Sequence, residues 1–198
     1  MIHESVLDKS MNRLLATFGK SAVVRPPATM AEIAELEAVV GSLPRDLVFF
    51  LTTCNGLRLE GKSAPPERAF WSIHDMFCAI RDPNEPTLPS GLVPVLGDGK
   101  HCCDAVVVSG PARGAVVRWD ASAVGACLLA SAFGHYFDRW VRYATTVFEA
   151  GGEQQKARFE PAFIQADDAG GARLRVDPAV RQWLHELDLA VACGDDFE

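Results

Sequence analysis

Hydrophobic and polar positions recur with two different periods along this chain, and the change between them outlines the fold. Val6, Leu7, Met11, Leu14, Leu15 and Phe18 fall at helical spacing, which predicts a helix over residues 4–18. Arg25-Pro26-Pro27 is extended and separates it from the next element. In the following stretch, ATMAEIAELEAVVGSLPRDLVFFLTTCNG (residues 28–56), Thr29 and Glu32 make a T-x-x-E capping box. Met30, Ile33, Leu36 and Val40 then share one helical face, and Gly41 ends that helix. Pro44 suits the first turn of a second helix, because that position needs no amide donor. Leu47, Val48, Phe50 and Leu51 make the second helix apolar on most sides, which predicts deep burial. Asn55-Gly56 tolerates positive φ, so the chain can stop and reverse there.

Residues 57–59 read as a short strand and residues 62–67 as a loop. Ala69-Phe70-Trp71 is strand-like and runs into Ser72, which with Asp75 makes a second capping-box start. The helix it opens carries Ile73, Met76, Phe77 and Ile80, and residues 81–86 follow as a Pro-rich turn. The period then changes. Residues 92–96, 105–108, 115–119 and 126–130 are short apolar or β-branched runs with Gly and Pro between them, the pattern of consecutive antiparallel strands. A long helix follows, with Phe133, Phe137, Trp140, Val141, Ala144 and Phe148 on one face. Helices first, sheet second and helix last is an α+β order, not an alternating α/β one. The strands are expected to form one mainly antiparallel sheet, packed on one face by the helices at 29–53 and 132–148. Gly151-Gly152 opens a polar stretch to about Arg175. Asp177-Pro178 then starts a final helix with Val180, Trp183, Leu184, Leu187 and Val191 as its apolar stripe.

The 198 residues suit one domain with an appendage. Three segments follow from the pattern: an N-terminal helix and linker (1–28), a central domain (29–148) and a C-terminal extension with a final helix (149–198). Their net charges are +2, −3 and −6 when the central segment is closed at residue 147, so the acidity is concentrated at the end of the chain. An acidic surface repels nucleic acid and steers a basic partner, or serves only as a solubilising segment. No apolar run approaches the roughly 18–20 residues of a membrane-spanning helix. The N-terminus lacks the apolar core of a signal peptide, so a cytoplasmic location is expected. The six cysteines show no C-x-x-C pair, and reduced, mostly buried thiols are the expectation.

The order acidic helix, Leu-Pro, apolar helix, Asn-Gly over residues 29–56 resembles the SUKH superfamily, the Smi/Knr cell-wall-regulator-like proteins. The resemblance continues through Phe70-Trp71, through residues 93–99 (VPVLGDG), through Cys103-Asp104-Ala105-Val106-Val107 and residues 116–120 (VVRWD), to the helix over 131–141. One departure is Cys103, where the family often has Gly before the strand aspartate. The resemblance covers roughly residues 29–147 and implies a SUKH-like α+β domain. It also implies a non-catalytic protein-binding role. The implied role is the bacterial immunity type, in which a toxin domain, such as a nuclease, is neutralised by blocking its active cleft. A housekeeping scaffold of the Smi/Knr type and a small-ligand binder are the alternatives.

Candidate chemistry is sparse. Gly97-Asp98-Gly99 reads as a hairpin turn between strands, with a ligand loop as the alternative. His101, Cys102, Cys103 and Asp104 are metal-ligand types in one run, but adjacent strand residues point to opposite faces and cannot all converge. Asp104 opens an apolar strand, either to tie the turn to a backbone amide or to contact a partner. Cys54 or Cys78 could pair with His74 or His135 as a nucleophile, yet no positioned third group is evident. Trp71, Trp119, Trp140 and Trp183 lie in periodic apolar elements and read as core, with Trp183 placed either to dock the extension or to reach a partner. The expectation is therefore no catalytic residue, no cofactor and no metal. The candidate partner-binding carboxylates are Asp98, Asp104, Asp167, Asp168, Asp195, Asp196 and Glu198. The expected partner is a basic protein domain, with no direct nucleic-acid or membrane contact.

Overall fold

The computed structural model describes residues 2–60, 69–81, 88–97, 102–120, 126–149 and 169–192. The described helices are α1 (Ile2–Phe18), α2 (Met30–Val40), α3 (Arg45–Thr53), α4 (Ile73–Arg81), α5 (Phe133–Glu149), α6 (Ala169–Val176) and α7 (Pro178–Ala192). The strands are β1 (Ala22–Val24), β2 (Leu57–Leu59), β3 (Ala69–Phe70), β4 (Leu92–Gly97), β5 (Cys102–Val107), β6 (Val116–Asp120) and β7 (Cys127–Ala130). They form one seven-stranded sheet in the order β1 to β7, with every neighbouring pair antiparallel. The fold is α+β. The sheet extends the expected four strands by three. β1 is a three-residue strand before Pro26 that carries no periodic signal of its own, and it pairs with β2 in the register Val23↔Arg58.

Strand alternation sends side chains to two cores. On one face Val93, Val95, Val106 and Val116 pack with Leu14 of α1, Ile33 and Leu36 of α2, Leu47, Phe50 and Leu51 of α3, and the buried side of α5. The centre of this core is aromatic. Phe70 meets Trp140 edge-on at 4.8 Å between ring centroids, and Phe50 meets Phe133 at 5.2 Å. Such edge contacts add about 0.5–1.5 kcal/mol each beyond the area they bury. Ser10 of α1 donates to Asp138 of α5 at 2.6 Å, so α1, from the N-terminal segment, shares this core with the central elements.

The opposite face departs from the one-sided packing expected. Leu92, Cys103, Ala105, Val107, Val117, Trp119 and Leu128 pack there against Val180 and Leu187 of α7, with Leu174, Trp183 and Leu184 at the margin. The sheet is covered on both sides because its outer face is as apolar as its inner one, which pairs poorly with water. Trp183 takes the docking alternative, close to Gly110. The polar stretch assumed to reach Arg175 contains α6, whose Gly170 and Gly171 are weak helix formers that hide the helix from a propensity reading.

Two helix starts form as the sequence specifies. Glu32 N–H donates to Thr29 Oγ1 at 3.2 Å while Thr29 N–H donates to Glu32 Oε2 at 2.7 Å. Ser72 and Asp75 repeat the arrangement at α4. Met30 differs from expectation and is 66% exposed. It lies about a quarter-turn off the arc of Ile33, Leu36 and Val40, at the 100° advance of a helix, and so misses the core.

Candidate functional site

Of the seven candidate carboxylates, Asp98, Asp167, Asp168, Asp195, Asp196 and Glu198 lie outside the described residues. Asp104 is described, and it is buried at 1% exposure. Arg118 Nε donates to Asp104 Oδ1 at 2.7 Å, Arg118 Nη2 donates to Oδ2 at 3.1 Å, and the Tyr136 hydroxyl also donates to Oδ2. The carboxylate is therefore enclosed by the protein and not offered to a partner. Its partners are side chains, not the backbone amide expected from its place beside a turn. Strand pairing of Asp104 with Arg118 sets the ion pair, and α5 lowers Tyr136 onto it. Burial works against the charge on Arg118, but the hydrogen bond and field of Asp104 outweigh it and raise the guanidinium pKa.

The run His101 to Asp104 divides as strand geometry requires. Cys103 packs in the outer core, while Asp104 points to the α5 side. His101 lies outside the described residues. Among the described residues no group of three or more His, Cys, Asp or Glu side chains could hold a metal ion. Gly97 pairs with Cys103, so β4 and β5 run antiparallel as sequence neighbours, and residues 98–101 between them lie outside the described residues. None of the five described cysteines forms a disulfide. Burial pushes the Cys54 thiol up to about 12, which keeps it protonated and unreactive. Cys78 and Cys127 are exposed, against the expectation of mostly buried thiols.

Cys78 Sγ lies 3.7 Å from His74 Nε2. Both stand in an open surface groove of about 580 Å3 between α2 and α4, lined by Glu35, Ala38, Val39, His74, Phe77, Cys78 and Arg81. Arg81 stacks over the Phe77 ring at 4.8 Å from its centroid. The groove wall on α2 is apolar because the helix carries apolar residues beyond its core stripe, among its three glutamates. Ile33 and Leu36 fill the core side, and Met30, Ala31, Ala34, Ala38 and Val39 are left facing solvent. In MAEIAELEAVV the sequence signal for this wall is the set of apolar positions off the Ile33, Leu36 and Val40 stripe. Asn55 also carries more than a helix stop: its Oδ1 accepts the Ile73 N–H at 2.8 Å and so helps to fix the start of α4 beside the groove. Among the described residues, no helix is long and apolar enough to cross a membrane.

The sequence model of the SMI1 / KNR4 family (SUKH-1) matches residues 27–139. The match spans more than half of the 198 residues, and the chain belongs to this family. The seven-stranded antiparallel sheet with its helices agrees with a SUKH-like domain. Membership supports a protein-binding module of the immunity or Smi1-like type. A comparison with curated proteins finds no match.

Proposed function

We propose that this protein is a non-catalytic immunity protein that binds a cognate toxin domain in the cytoplasm and blocks its active cleft. The observation that carries the reading is membership of the SMI1 / KNR4 family over residues 27–139. Charge gives it a direction. The net −6 of residues 148–198 favours a basic partner, such as the substrate cleft of a nuclease, and raises the rate of encounter. The steering carboxylates are Asp167, Asp168, Asp195, Asp196 and Glu198, with Asp98 from the segment between β4 and β5. Asp104 is withdrawn from this set by its burial.

The test is co-purification of the protein with the product of a toxin gene next to its own, followed by association kinetics across a salt series. A stable complex that silences the toxin is expected. Neutralising the five terminal carboxylates slows association several-fold at low salt and leaves dissociation nearly unchanged, because peripheral charges mainly steer encounter. No complex with any such product removes the immunity reading. A complex with unaltered association leaves it standing and removes only the role of the acidic segment.

A further inference from the structure

We propose that the groove between α2 and α4 is a self-association surface, on which a second copy of this chain docks across a two-fold axis running along the groove. The argument starts from the solvent-facing side of α2. Val39 is 46% and Met30 66% exposed, and Ala31, Ala34 and Ala38 are exposed with them. α2 thus leaves five apolar side chains in water among its glutamates, a face that gains by being covered. The alanines carry no bulk beyond Cβ, so another helix can approach closely.

The charges select the occupant. Glu35 stands on the α2 wall and Arg81 on the α4 wall. Among the described residues Glu35 has no hydrogen-bond or ion-pair partner, and Arg81 has only the Phe77 ring. The two other glutamates of α2 are occupied: Glu32 in the capping box, and Glu37 by the Leu43 N–H at 2.9 Å. One unpaired acid and one unpaired base on opposite walls make the surface complementary to itself. A two-fold axis along the groove sets α2 of one copy over α4 of the other. Glu35 of each copy then faces Arg81 of its partner, and Val39 packs between the two Phe77 rings. Reciprocal contact of this kind defines an isologous interface. The groove is small, so the dimer is weak, with a dissociation constant on the order of 10 µM or above.

Sedimentation velocity of the full chain, from low micromolar to millimolar concentration, tests this. A monomer–dimer equilibrium is expected. Val39→Glu, Glu35→Arg and Arg81→Glu each weaken it by about tenfold or more, since every substitution is met twice across the axis. The exchange Glu35→Arg with Arg81→Glu restores it to within about threefold of the parent, because the pair is re-formed with its sign reversed. These residues are exposed, so thermal midpoints should stay unchanged and serve as the check on folding. A chain that remains monomeric at millimolar concentration overturns the proposal and leaves the groove to a different protein. A dimer indifferent to Val39→Glu and Glu35→Arg places self-association on another face and overturns it equally. Failure of the charge exchange to restore dimers shows that Glu35 and Arg81 do not meet across the axis, and it sinks the assigned geometry.

Discussion

Arg118 grips Asp104 with two nitrogens, Nε at 2.7 Å and Nη2 at 3.1 Å, in a bidentate pair between β5 and β6. The carboxylate side chain is 2% exposed and the guanidinium side chain 21%. Removing one partner of such a pair strands the other's charge inside the protein. Asp104→Ala is therefore expected to cost about 3 kcal/mol, at the low end for broken buried pairs because part of Arg118 still reaches water. Combining Asp104→Leu with Arg118→Met should cost less, since no charge is left behind. Urea unfolding of both variants checks this, and a double variant weaker than Asp104→Ala would contradict the account.

Gly56 is the next position with a sharp expectation. Its φ is +94°, and a Cβ there would meet Phe70 O at 2.8 Å and Ser72 N at 2.8 Å. Both neighbours are backbone, so neither can move aside cheaply. Gly56→Ala should destabilise by about 2–3 kcal/mol, combining positive-φ strain with the collision. Gly41→Ala is the control, because φ is also positive there but nothing lies within 4 Å of the added carbon. Thermal unfolding should rank Gly56→Ala as clearly the worse of the two.

The Thr29–Glu32 capping box makes α2 sensitive to acid. Hydrogen bonds from the Thr29 backbone, and then from its side chain, hold the Glu32 carboxyl below its ordinary 4.5. The folded pKa lies under the unfolded one. The contribution is therefore present above the unfolded value and is lost as pH falls through the folded value. A carbon-detected NMR titration should show Glu32 titrating below the ordinary 4.5. Thr29→Ala should return Glu32 toward that ordinary value and cost about 1 kcal/mol of stability.

The outer sheet face depends on α7 for cover. Val180 is fully buried and Leu187 is 7% exposed against Val107, Val117 and Trp119. Val180→Asp places an unpaired carboxylate in that core and should cost about 3 kcal/mol or more. A chain ending at Glu149 should bind an apolar dye such as ANS and aggregate, because the uncovered strands present a contiguous apolar patch. If that shorter chain is soluble and does not bind dye, the cover is not required.

Local chemistry was legible without coordinates. The two capping boxes, the Gly41 stop, the four strands over residues 92–130 and the aromatic face of α5 all follow from side chains acting on their own neighbourhood. β1 and α6 were not legible. Three residues before a proline carry no period, and a Gly-Gly pair argues against the helix that forms. The candidate site was legible only in part. Asp104 stood out in the sequence as a carboxylate in an apolar strand, but nothing local says that Arg118 and Tyr136 enclose it. The groove was not legible, because Glu35, Ala38 and Val39 become a wall only when α4 stands beside them.

The sequence by itself determined the elements other than β1 and α6, their order and most of their apolar faces, since propensity, capping and period act over a few residues. Only the tertiary structure decided that β1 to β3 join the same sheet, that α7 closes its outer face, and that Asp104 faces inward while Met30 faces out. These are contacts between residues far apart along the chain. Their energies come from burial and pairing, which no residue possesses until the chain has folded around it.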